Sequence, residues 1–75
     1  MTKITKRKKL AEWKQCVVDQ FSNKKEYYGY ESMGGMLILH FRNINNYKWA
    51  SVAILKHFHL HLINLKINEA LRKIS

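Results

Sequence analysis

The chain has 75 residues, one cysteine and no proline. That excludes an intrachain disulfide framework and a Cys/His zinc box, and it limits the protein to one small core. Fourteen Lys and Arg against five Asp and Glu give a formal net charge of +9, which favours a polyanionic partner: nucleic acid, an acidic protein or an anionic membrane. A hydrophobic content of 47% argues against a disordered chain.

Met1 to Lys9 is a basic arm carrying Lys3, Lys6, Arg7, Lys8 and Lys9. It is followed by Leu10-Ala11-Glu12-Trp13-Lys14, which is no apolar signal-peptide core. From Leu10 the spacing becomes helical, with Leu10, Trp13, Val17 and Phe21 on one stripe. The pattern predicts a helix over 5–22 with Thr5 as N-cap. Such a helix would carry cations in its first turn, where the dipole is already positive. Beside free N–H groups these cations would suit a phosphate; the plainer reading is a solubilising arm.

Ser22 to Lys25 interrupts the helix. Glu26 to Glu31, rich in tyrosine, predicts a short edge strand. Ser32-Met33-Gly34-Gly35 predicts a hairpin turn. Met36 to Arg42 is a continuous apolar run between turn signals, which predicts a buried central strand. Asn43 to Asn46 predicts a second turn.

The remainder, with neither proline nor glycine, reads in two ways. One is a strand at 47–54 followed by a helix at about 58–74. The other is a single helix over 46–74. Leu60, Ile63, Ile67, Ala70, Leu71 and Ile74 keep helical spacing, whereas His57, His59 and His61 alternate with Phe58, Leu60 and Leu62 at strand period. We take the first reading. The expected fold is α+β: an N-terminal helix, a three-stranded antiparallel meander and a C-terminal helix, with both helices on one sheet face. The alternative is a mainly α chain.

No catalytic signature is present, and a non-enzymatic protein without a cofactor is expected. His57, His59 and His61 are the candidates for a metal, since neighbouring histidines on a strand, or His57 and His61 on a helix, share a face. No carboxylate lies near to orient them, so a solvated histidine face is the better reading. Tyr27, Tyr28, Tyr30, His40 and Arg42 supply groups for a toxin-type RNase, but no spacing implies mutual geometry. Trp13 and Trp49 are expected in the core, and Cys16 at its edge.

The leading expectation is a small nucleic-acid-binding protein, RNA or DNA. Lys3, Lys6, Arg7, Lys8, Lys9, Lys14, Lys24 and Lys25 would contact phosphates, and Tyr27, Tyr28 and Tyr30 would stack on bases. The alternative is a phage or mobile-element protein that modulates an acidic host protein, such as a CRISPR effector or another nucleic-acid enzyme. A homodimer would also hide surplus apolar surface. Membrane association is not expected: the longest uncharged stretch, Ser32 to Phe41, is too short to span a bilayer, and basic and apolar clusters sit at opposite ends. One free cysteine suits a reducing, cytoplasmic compartment.

Overall fold

A computed structural model describes residues 10–75. In chain order it contains α1 (Glu12–Phe21), β1 (Tyr27–Met33), β2 (Met36–Asn43), β3 (Lys48–Leu55) and α2 (Leu60–Ile74). The strands form one antiparallel sheet in the order β1-β2-β3. The predicted helix–meander–helix order is therefore the observed one. A single helix over 46–74 is overturned, because β3 pairs with β2 along its whole length.

The tight turns explain the register. Strands β1 and β2 pair up to Met33 and Met36, so only Gly34 and Gly35 form the turn, two residues fewer than the sequence suggests. Gly34 has φ +54° while Gly35 does not take a positive φ, the pattern of a type II′ turn, which glycine enters without a Cβ penalty. The second turn runs from Ile44 to Tyr47 and closes with the Tyr47 N–H donating to the Asn43 carbonyl at 2.7 Å. Asn43 and Asn46 each accept a backbone N–H two residues on with their side-chain oxygens, a local alternative to helix. Tyr47 takes φ +60° and ends any helical path through this segment.

Residues opposite one another in register share a sheet face. Tyr27, Phe41 and Ala50 form one row, Tyr30, Leu39 and Val52 the next, and Ser32, Leu37 and Ile54 a third. This face carries the core. Leu37, Leu39, Phe41, Val52 and Ile54 pack with Val17, Val18 and Phe21 of α1 and with Ile63, Ile67, Ala70 and Ile74 of α2. Burial of each large apolar side chain contributes roughly 1.5–3 kcal/mol, so the sheet centre, where Leu37, Leu39 and Phe41 are wholly enclosed, dominates stability. Both helices thus cover the same face, as each stripe requires.

Helix α2 begins two residues later than the spacing suggests. Lys56 and His57 are a turn, fixed by the Phe58 N–H donating to the Leu55 carbonyl at 3.0 Å. His59 is the N-cap, its Nδ1 accepting from the Leu62 N–H at 3.3 Å. Leu60, expected on the buried stripe, is half exposed because it lies in the first turn, ahead of the sheet contact. At the other end Asn43 and Asn46 donate their amides to the Ile74 carbonyl at 2.8 and 3.0 Å. The β2–β3 turn thus satisfies an end carbonyl of α2 that has no partner within the helix.

Helix α1 also starts late, at Glu12, with Leu10 and Ala11 outside it. Its first turn therefore carries an acid, which suits the dipole, and not the cations of the arm. Thr5 and the arm's cations lie outside the described residues. Cys16 is an exposed free thiol, not the core-edge group expected, because the buried stripe runs through Lys14, Val17, Val18 and Phe21.

Candidate nucleic-acid interface

The second face of the sheet is built from the alternate residues. Gly29, His40 and Ser51 form one row, Glu31, Ile38 and Ala53 another, and Met33, Met36 and Leu55 a third; Arg42 and Trp49 pair at the far end. Among the described residues no helix packs on this face. Trp49, Met33 and Leu55 are exposed as a result.

A β-bulge shapes the end of this face. Tyr27 pairs with Phe41 and Gly29 with His40, so Tyr28 is an extra residue. The bulge turns Tyr28 to the open side, next to a glycine at φ +153°, where a side chain would be strained. Arg42 then packs against a pair of touching aromatic rings. Its guanidinium carbon is 4.4 Å from the Tyr28 ring centre and 5.7 Å from that of Trp49. The two rings meet edge to face at 5.0 Å. Tyr28 is 50% and Trp49 58% exposed, so the cluster is a surface feature held by cation–π attraction, on the order of 0.5–1 kcal/mol at such a site. Arg42 has no carboxylate partner among the described residues, which leaves its N–H groups for a ligand.

Arg42 also lines a cleft of about 340 Å³ with Lys25, Asn43 and Asn45. Glu26 borders the same cleft, and the Asn43 amide is already engaged with the Ile74 carbonyl. Arg42, Lys25 and Asn45 are therefore the side chains here whose donors suit phosphate and base edges.

Further along the open face, His40 links the three strands. Its Nδ1 lies 2.8 Å from the Ser51 hydroxyl and its Nε2 lies 3.7 Å from Glu31 Oε2. This gives polar side chains on an uncovered sheet partners within the sheet.

The predicted site residues are distributed unevenly. Lys3, Lys6, Arg7, Lys8 and Lys9 lie outside the described residues. Lys24 is half buried and Lys25 exposed in the loop before β1. Lys14 is only 4% exposed. Its ammonium donates to the Ser32 hydroxyl and the Gly34 carbonyl, both at 2.7 Å, so it joins α1 to the first hairpin and is turned away from the surface cluster. The three tyrosines separate. Tyr28 is on the open face. Tyr27 and Tyr30 are on the helix-covered side, where Tyr27 meets Phe41 edge to face at 6.2 Å. Burial, and secondarily Tyr30, push the Tyr27 hydroxyl above the ordinary value of 10.0.

Two residues at the cluster were not assigned there from sequence. Trp49, expected in the core, is outside it, because Ala50, Val52 and Ile54 point inward and alternation turns Trp49 outward. Trp13 does pack against the core. Arg42, a catalytic candidate in the sequence, is not among the expected phosphate contacts. Of the catalytic candidates, Tyr28, His40 and Arg42 share the open face and Tyr27 and Tyr30 do not.

The histidine run is divided by the turn into α2. His57 lies edge-on to Phe58 at 5.0 Å, and His59 stacks on His61 at 6.2 Å, while His59 Nδ1 is occupied as a cap. Among the described residues no three His, Cys, Asp or Glu side chains converge to hold a metal ion. No helix among them is long and apolar enough to cross a membrane. Comparison with protein families, with curated proteins and with solved structures finds no match to this chain.

Proposed function

We propose that this protein binds single-stranded nucleic acid without catalysing a reaction, and that bases stack on the open sheet face at Tyr28 and Trp49. The observation that supports this is the Arg42 guanidinium seated on an exposed tyrosine beside an exposed tryptophan. Aromatic faces stack on any base, and a guanidinium plane adds charge where the backbone passes. Lys25 stands in the same cleft as Arg42, and the five cations of the first nine residues would add sequence-independent phosphate contacts. Such a ligand, with one free thiol, fits a cytoplasmic protein.

The test is a salt titration of binding to a labelled 12-nucleotide single strand, RNA and DNA, read by fluorescence anisotropy. Log affinity should fall with log salt at roughly 0.7 per phosphate neutralised. Trp49→Ala should weaken binding by roughly 5- to 150-fold, the equivalent of about 1–3 kcal/mol for one stacked base. No binding at low salt, or a Trp49→Ala variant that binds like wild type, refutes the proposal.

A further inference from the structure

Strand β3 ends the sheet with an unpaired edge. Among the described residues only β2 pairs with it. The side on which its backbone groups point follows from one bond. The Arg42 N–H donates to the Glu26 carbonyl at 2.8 Å, toward β1. Backbone groups alternate sides along an antiparallel strand, so Arg42 and its partner Trp49 turn their N–H and C=O groups away from each other. The register between β2 and β3 has no shift. The same alternation therefore places the N–H and C=O groups of Ser51 and Ala53 on the outer edge with those of Trp49.

Such an edge is usually blunted. Strand β1 has its bulge at Tyr28. Strand β3 has neither a bulge nor a proline, and no charge between Trp49 and Leu55. Beside it α2 leaves a groove of about 440 Å³, lined by Trp49 to Ala53 and by Lys66, Glu69, Ala70 and Lys73. The groove thus offers a run of backbone donors and acceptors under two lysines and one glutamate.

We propose that this edge is a strand-addition site for an extended acidic segment of a partner protein. The peptide supplies alternating N–H and C=O groups to Trp49, Ser51 and Ala53, and its carboxylates face Lys66 and Lys73. Charge selects this occupant over a second copy of the chain. Antiparallel pairing of two β3 strands brings the bracketing Lys48 and Lys56 into opposition, with Lys66 and Lys73 of both copies alongside. A nucleic-acid strand could pair its phosphates with the lysines, but it carries no peptide-spaced ladder for the edge. The site does not depend on the Tyr28–Arg42–Trp49 cluster binding bases, and each site has its own probe.

The experiment titrates the full ¹⁵N-labelled chain with a blocked octapeptide alternating glutamate and valine, then with its lysine–valine counterpart and with a single-stranded oligothymidylate. The acidic peptide should shift the amide signals of Trp49, Ser51 and Ala53 and protect them from exchange; the basic peptide should not. Ala53→Pro removes an outward N–H without touching the β2–β3 bonds, and should weaken the acidic peptide about tenfold or more. Lys66→Glu with Lys73→Glu, a surface change that leaves the edge intact, should reverse the preference between the two peptides. The proposal is overturned if both peptides bind alike or neither binds, or if Ala53→Pro has no effect in a folded variant. It is equally overturned if oligothymidylate protects the Ser51 and Ala53 amides, which lie outside the Tyr28–Arg42–Trp49 cluster, or if sedimentation shows a dimer that Ala53→Pro dissolves.

Discussion

Lys14 is a cation that the fold consumes, and its removal has a calculable cost. Its ammonium makes two bonds of 2.7 Å, to the Ser32 hydroxyl and the Gly34 carbonyl. Hydrogen bonds to a charged group contribute roughly 1.5–3 kcal/mol each. Against this stands the cost of taking an ammonium out of water, of several kcal/mol where burial is complete. Ser32 and Gly34 are themselves exposed, so water can replace the lost donor. Lys14→Met keeps most of the apolar stem and removes the charge; the net loss should be near the lower bound, about 1–2 kcal/mol. For a domain of this size that lowers Tm by roughly 4–16 °C. Lys14→Ala also strips packed methylenes, worth about 0.8 kcal/mol each, and should be less stable than Lys14→Met by about 2 kcal/mol. Guanidinium unfolding followed by circular dichroism measures both. Nucleic-acid affinity of the folded Lys14→Met variant should remain within about twofold of wild type, since the buried ammonium reaches no ligand. A variant with unchanged Tm and a reduced salt slope would show that Lys14 is a surface cation after all, and would refute this reasoning.

Other perturbations test the fold and its titration. The raised Tyr27 hydroxyl means that the unfolded chain loses this proton first. Its contribution is fully present below pH 10 and is lost as pH rises past 10 toward the folded value. The difference in stability between wild type and Tyr27→Phe should therefore be flat at neutral pH and shift in favour of the variant above pH 10; denaturant midpoints across that range check it. Gly34→Ala forces a Cβ onto a backbone at φ +54° and should cost about 1–2 kcal/mol, while Gly35→Ala should cost less, as measured by thermal unfolding. Tyr28→Ala should cost only about 0.5–1 kcal/mol of stability, because the ring is half exposed and its contact with Arg42 is lost, and should weaken single-strand binding by roughly 5-fold or more.

Particular residues show what the chain discloses before folding. The glycine pair and the asparagine turn mark the hairpins because both supply conformations other residues avoid, and the α2 stripe is evident in Ile63, Ile67, Ala70 and Ile74. Lys14 was open to the same logic. It lies three, four and seven residues before Val17, Val18 and Phe21, on the buried face, so its position points to the core while its charge points to the surface. The open face was less accessible. Strand β3 is apolar at almost every position, so only the register with β2 decides that Trp49 points out and Ala50 in. The bulge that moves Tyr28 beside Arg42 depends on an unmatched residue across two strands, which no local pattern encodes. Contact between Arg42 and Trp49 likewise depends on a turn of four residues; one more or one fewer would change the pairing.

The central claim is that the uncovered sheet face receives the bases. The most direct measurement is a ¹H–¹⁵N footprint of the ¹⁵N-labelled protein with an unlabelled single-stranded oligonucleotide. The two tryptophans provide an internal contrast, since Trp49 is 58% exposed on that face and Trp13 packs against the core under α1. The account predicts that the Trp49 indole N–H and the Arg42 guanidinium signals move with saturating behaviour while the Trp13 indole stays in place. Movement confined to α1 or α2, with the Trp49 and Arg42 signals unchanged at saturation, would contradict it.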